Sequence, residues 1–336
     1  MEWVRGEMIG SGSFGTVNLV LPKTGFSGSS FMAVKCCETN NSASLKNEKQ
    51  VLHQLGFCPQ IISCFGDDFT VENCGKFYNL FLEYADKGSL ADHLQQNGGK
   101  LMESDVKRFA RSILKGLNFI HSKGFVHCDI KLQNVLLFGN GDVKIADFGL
   151  AKRKGEKQRR HEIRGTPLSM APESINGNVY ESGVDIWALG CAVVEMFTGK
   201  PAWNLKPGAN MADLLIKIGA SDELPGIPRE LSGEGKDFLV KCFSRDPNKR
   251  WTAEMLLQHP FMAGDDETVP STSSRGCVEE IAITPRCTLD FPDGVWSESI
   301  LGENSSMFSS ALDRIRELAC DETPNWGFSG SWMRLR

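Results

Sequence analysis

The chain has 336 residues, enough for about two domains or one large one. Its 41% hydrophobic and 24% charged content is ordinary globular usage and excludes wholesale disorder. A formal net charge of −5 argues against a general nucleic-acid or anionic-membrane binder, because neutralising phosphates needs a basic face. No apolar run reaches the roughly 18–20 residues of a membrane span, and the start, MEWVRGEMIGSGSFG, lacks the apolar stretch of a signal peptide. The eleven cysteines are odd in number and show no paired metal spacing. They are expected to be reduced thiols of a cytoplasmic or nuclear protein.

In chain order, "VRGEMIG", "TVNLVLP" and "SFMAVKCC" read as short strands broken by Gly, Pro and Ser. "SASLKNEKQVLHQL" reads as a helix with Ser42 or Ser44 as its cap and Leu45, Val51, Leu52 and Leu55 as its apolar positions. "KFYNLFLEYA" reads as a buried strand. Beyond it helices dominate. Val106, Phe109, Ile113, Leu117 and Ile120 recur at helical spacing in a segment that ends at Gly124. "GVDIWALGCAVVEMFTG" is apolar nearly all round, as a central buried helix is. The composition changes after Met262. Residues 263–336 carry 13 acidic and 6 basic side chains, a net of −7, against +2 for residues 1–262. A boundary is therefore expected at 262–265, followed by an acidic, mostly disordered tail. Within that tail Met307, Phe308, Ala311, Leu312, Ile315, Leu318 and Ala319 share one helical face, so a short helix over 305–322 is expected, free or docked on the body or on a regulator.

Several short patterns carry chemistry. Residues 10–17, GSGSFGTV, read G-x-G-x-x-G-x-V. Glycines let a backbone approach phosphates closely, and the same string serves dinucleotide sites or a plain Gly-rich hairpin. Here a β-branched strand follows, where a dinucleotide site needs a helix. Lys35 ends the strand MAVK, and Glu48 sits thirteen residues later on the helix. Taken singly each is a surface charge; as a pair they can aim an ammonium at the phosphates of ATP. In "FVHCDIKLQNVLLF", His127, Asp129, Lys131 and Asn134 fit H-x-D-x-K-x-x-N. A carboxylate there can accept a hydroxyl proton, a lysine can steady a transferring phosphoryl group, and an Asn can hold a metal. Asp147-Phe148-Gly149 adds a second metal-binding carboxylate, and Thr166 and Ala171-Pro172-Glu173 follow in order.

In this order and at this spacing, residues 4–262 resemble a eukaryotic protein kinase along their whole length. The resemblance implies an α+β bilobal kinase fold: a β-rich N-lobe over about 3–85 and a helical C-lobe over about 86–262, with 263–336 as the tail. It implies ATP and Mg²⁺ as cofactors. Asp129 would be the catalytic base, with Lys131, Lys35 and Glu48 beside it, and Asn134 and Asp147 would be the metal ligands. The nucleotide set would be Ile9, Gly10, Ser11, Gly12, Ser13, Phe14, Gly15, Val17, Ala33 and Lys35, with Leu82 as gatekeeper and Glu83–Ala85 as hinge. Glu173 and Arg250 would form a buried ion pair, and Asp185 would hold the catalytic-loop backbone.

Lys131 and the GTP at Thr166 look like a Ser/Thr kinase. "YNLFLEYADKGSLADHL" and "RGTPLSMAPES" are similar to the short plant mitogen-activated protein kinase kinase kinases of the MEKK-like branch. That similarity implies MAP kinase kinases as substrate partners, in plant stress or hormone signalling. A related Ser/Thr kinase with other substrates stays open, as does a kinase-fold scaffold without chemistry. The scaffold is disfavoured because Lys35, Glu48, Asp129, Asn134 and Asp147 are all present. Two departures stand out. Cys128 replaces the Arg of the usual HRD, and residues 150–165 contain no Ser, Thr or Tyr, only a basic run with Glu156 and Glu162.

Overall fold

The computed structural model describes residues 3–263 apart from 13, 23–30, 73–74, 157–162 and 205–209. Ser13, the middle of the basic run, and the expected acidic tail with its 305–322 helix lie outside the described residues.

Strands β1 (Trp3–Gly12), β2 (Gly15–Pro22), β3 (Met32–Glu38), β4 (Cys64–Glu72) and β5 (Gly75–Glu83) form one antiparallel sheet in the order β1-β2-β3-β5-β4. β3 lies in the middle, and Ala33 to Cys37 are buried without interruption. A strand covered on both faces needs such a continuous run in place of alternation. β4 forms an edge. Its Gly66, Asp67 and Asp68 hide the strand pattern, which is why the sequence does not announce it.

Helix α1 (Ala43–Leu55) packs beneath this sheet through Leu45, Val51, Leu52 and Leu55. Glu48 lies in the same stripe and is fully buried. Ser42 occupies the cap position, but its hydroxyl donates to Thr39 O at 2.6 Å and caps nothing; Ser44 is already inside the helix. The cap expected there is therefore absent.

The C-terminal part is helical: α2 (Leu90–Gln96), α3 (Glu103–Ser122), α4 (Pro172–Gly177), α5 (Ser182–Thr198), α6 (Met211–Ala220), α7 (Gly233–Cys242) and α8 (Ala253–Leu257). All five apolar positions expected on α3 are buried, and α5 is buried from Val184 to Val194 around Trp187. Two small ribbons, β6 (Phe125–Val126) with β9 (Lys152–Arg153) and β7 (Val135–Leu137) with β8 (Val143–Ile145), fix the loops between them. This is the bilobal α+β arrangement that the motifs imply. Among the described residues no helix is long and apolar enough to cross a membrane, and the seven described cysteines are unpaired thiols.

Candidate active site

A cleft lies where the sheet meets the helical part. Ile9, Gly10, Val17, Ala33, Lys35, Leu82 and Glu83 line it from the sheet, Tyr84 and Ala85 from the connection that follows β5, Glu48 from α1, and Asn134, Leu136 and Asp147 from the helical part. Its surface is mainly apolar with a few converging polar groups, as a site for a flat heterocycle with a charged tail requires. Ser11, Gly12, Phe14 and Gly15 stand instead at the β1–β2 hairpin tip, where Ser11 pairs with Thr16 and Gly12 with Gly15. They do not form its walls. Gly15 has φ +132°, and a Cβ there would overlap the Cys36 carbonyl oxygen on β3. The residue is therefore glycine because the hairpin tip folds down onto its neighbour. Phe14 lies with its ring centroid 5.8 Å from Lys35 Nζ.

Lys35 is almost wholly buried and donates to Glu48 Oε2 at 2.7 Å and to Asp147 Oδ1 at 2.9 Å. Burial opposes its charge, but the two carboxylates outweigh burial and hold the ammonium above its ordinary value. Asp147 is likewise pushed up by burial and pulled further down by Lys35, so it is held below its ordinary value. Glu48, the deepest of the three, is held above its ordinary value by burial, against the pull of Lys35. Removing one partner of such a cluster strands a buried charge. Glu48 also accepts from Phe148 N at 3.2 Å, and Asn47 Nδ2 donates to the carbonyls of Phe148, Gly149 and Ala151 at 3.3, 3.1 and 2.8 Å. Helix α1 is thereby tied to the segment that carries Asp147.

The loop after β6 presents Asp129, Lys131 and Asn134, all buried. Thr166 Oγ1 donates to Asp129 Oδ1 at 2.7 Å and accepts from Lys131 Nζ at 3.1 Å. Lys131 Nζ is also 3.3 Å from Asp129 Oδ2. Asn134 Nδ2 donates to the carbonyl and the carboxylate of Asp129, each at 2.9 Å, which turns Oδ1 the other way. That Oδ1 and Asp147 Oδ2 are buried acceptors without a hydrogen-bond partner. Two orphaned oxygens, one from an amide and one from a carboxylate, form a donor set suited to a hard divalent cation such as Mg²⁺. The residues fit such a group.

This loop is held from below. Asp185, fully buried, accepts from His127 N at 2.9 Å, Cys128 N at 2.8 Å and His121 Nε2 at 2.8 Å. Burial pushes its carboxyl up, but these donors win and hold it below its ordinary value. Cys128 takes φ 70°, a left-handed conformation that a side chain tolerates only when its surroundings enforce it. Its buried thiol is pushed well up and donates to Val126 O at 3.7 Å. His127 donates from Nε2 to Ala146 O at 3.1 Å and accepts from Asp129 N on Nδ1 at 3.2 Å, which orients the two motif ends together. Glu173 and Arg250 form the expected fork at 2.6 and 3.0 Å. Glu83 turns its carboxylate to Lys144 at 2.6 Å and to Ser63 N at 3.2 Å, so this hinge side chain is engaged with the protein.

Two residues go beyond the motifs. Asn47 clamps three carbonyls but shows in sequence only as the neighbour of Glu48. His121, in the last turn of α3, supports Asp185, and its only sequence signal is a histidine six positions before His127.

The family model of the protein kinase domain matches residues 3–262. Mitogen-activated protein kinase kinase kinase 20 of Arabidopsis thaliana is 51% identical over 346 residues, spanning 100% of both chains. Mitogen-activated protein kinase kinase kinases 17 and 18 of the same plant are each 41% identical over 272 residues; the matches cover 80% and 79% of this chain and 72% and 79% of theirs.

Proposed function

The chain belongs to the protein kinase family, as a serine/threonine kinase of the MAP kinase kinase kinase type, and from that premise we propose that it phosphorylates Ser or Thr in the activation loop of a MAP kinase kinase. The observation that carries the chemistry is the contact of Asp129 with a hydroxyl. Its Oδ1 already accepts from Thr166 Oγ1 at 2.7 Å, and Lys131 stands beside both. A carboxylate so placed can take the proton of an incoming substrate hydroxyl as its oxygen bonds to the γ-phosphorus and the bond to ADP breaks.

The family implies ATP and a divalent metal. In this reading Ile9, Val17, Ala33, Leu82 and the 83–85 connection hold the adenine side, and Lys35, kept charged by its two carboxylates, steadies the phosphates. Asn134 and Asp147 would hold Mg²⁺, which when bound neutralises charge on the phosphate chain. Ser11, Gly12, Phe14 and Gly15 cover the phosphates from the hairpin tip.

The test is incubation of the purified chain with ATP, Mg²⁺ and a panel of kinase-dead MAP kinase kinases, with site mapping of the product. The reading expects phosphate on activation-loop Ser or Thr of one or more panel members. Phosphate confined to generic substrates such as myelin basic protein, with none on any MAP kinase kinase, would overturn the substrate assignment.

A further inference from the structure

We propose that the groove behind α1 is the docking site of this chain's own C-terminal segment, residues 305–321. The groove is formed by the last turns of α1, the loop that follows, and the start of β4. Leu52, Phe57, Ile62 and Phe65 supply its apolar surface, and Lys49 and His53 stand at its edge. It encloses about 440 Å³, within the roughly 300–1,000 Å³ of ordinary ligand clefts. Phe57 is 80% exposed and Phe65 54% exposed. Single exposed aromatics need no explanation, but two lining one concavity mark a surface that expects a cover.

The chain carries a matching cover. Met307, Phe308, Leu312, Ile315 and Leu318 fall at helical spacing, the pattern of an amphipathic helix laid into an apolar groove. Attachment is long enough. The 41 residues between Ala263 and Ser305 reach up to about 140 Å when extended, whereas a body of this size has a radius of gyration of about 18 Å. Charge does not oppose the contact: Lys49 at the groove edge is paired with Asp67, and residues 305–321 carry Asp313, Glu317 and Asp321 against Arg314 and Arg316, a net of only −1. A tethered segment meets the groove at a high local concentration, which a free partner of equal complementarity does not. The site is consequential because α1 also carries Glu48 and Asn47. A segment seated against its last turns biases the helix that positions Lys35 and Asp147. The inference does not depend on the substrate reading above, and its test does not use phosphoryl transfer.

The experiment is amide hydrogen exchange on the full chain, read over residues 52–66, at two protein concentrations differing tenfold. Four proteins are compared: the parent, Phe308→Glu/Leu312→Glu, Phe57→Ser, and the combination. Phe57 is exposed, and Phe308 and Leu312 are not among the described core residues, so none of these changes removes a described core side chain. Docking predicts that either single-site variant speeds exchange in this stretch by about tenfold, that the combination adds nothing further, and that the parent's protection is independent of concentration. Unchanged exchange in the tail variant, additive effects, or protection that fades on dilution, as for a second copy's tail, would overturn the proposal.

Discussion

Asp185→Ala should cost far more than one carboxylate ordinarily contributes, and the structure gives the size. The side chain accepts two backbone N–H groups, His127 at 2.9 Å and Cys128 at 2.8 Å, and one imidazole N–H. All are buried away from water, so deletion leaves donors unsatisfied at about 1–3 kcal/mol each. It also releases Cys128 from its φ of 70°, which returns part of a strain of about 1–3 kcal/mol. The net expectation is a loss of about 3–5 kcal/mol in urea unfolding. Because Cys128 is adjacent to Asp129, the released loop should also lower kcat by about 100-fold, with a smaller change in the KM for ATP. The carboxyl's folded value lies below its ordinary 3.8. Its stabilisation is therefore complete above that value and is lost as pH falls through the folded one, so the variant should also lose part of the parent's acid sensitivity. A variant within 1 kcal/mol of the parent with an unchanged kcat would refute this account of the loop.

Glu195, half-buried on α5, is pushed up to about 7 from 4.5 by burial, with Lys131 working the other way. Its stabilisation is present below 4.5 and lost as pH rises through about 7, so Glu195→Gln should remove about 1–3 kcal/mol of pH dependence between those limits, measured by urea titration. Gly15→Ala should raise the KM for ATP at least severalfold, since a Cβ overlaps the Cys36 carbonyl; unchanged ATP kinetics would contradict the role of the hairpin tip. The protein expressed in bacteria and treated with phosphatase should phosphorylate its substrate without a lag, because Cys128 stands where the usual HRD has Arg, residues 150–165 carry no hydroxyl to phosphorylate, and Glu48 and Asn47 already tie α1 in place. A lag that ATP preincubation removes, and that Thr166→Ala or Ser169→Ala abolishes together with activity, would place loop autophosphorylation in control.

The candidate site was legible because its residues lie in short, ordered motifs, and the structure brings Lys35, Glu48 and Asp147 into one cluster and Asp129, Lys131 and Asn134 into another. Burial of Glu48 could have been read too, since it falls in the helical stripe of Leu45, Val51 and Leu52. β4 was not legible, because an edge strand bearing Gly66, Asp67 and Asp68 lacks a buried face to impose alternation. Nor was the inert cap at Ser42, whose hydroxyl chose a local carbonyl over the helix end. Asn47 and His121 act through partners distant in sequence, Phe148 to Ala151 and Asp185. Contacts of that kind are created by the fold and leave no local pattern.

The central assignment, Asp129 as the base of phosphoryl transfer, is tested most directly by Asp129→Asn measured for nucleotide affinity and turnover on one preparation. Asn keeps the shape but neither the charge nor the basicity, while Lys35, Glu48 and the apolar cleft are untouched. ATP affinity should stay within about twofold of the parent while kcat falls by at least about 100-fold, the scale of general-base catalysis. Turnover close to that of the parent would contradict it.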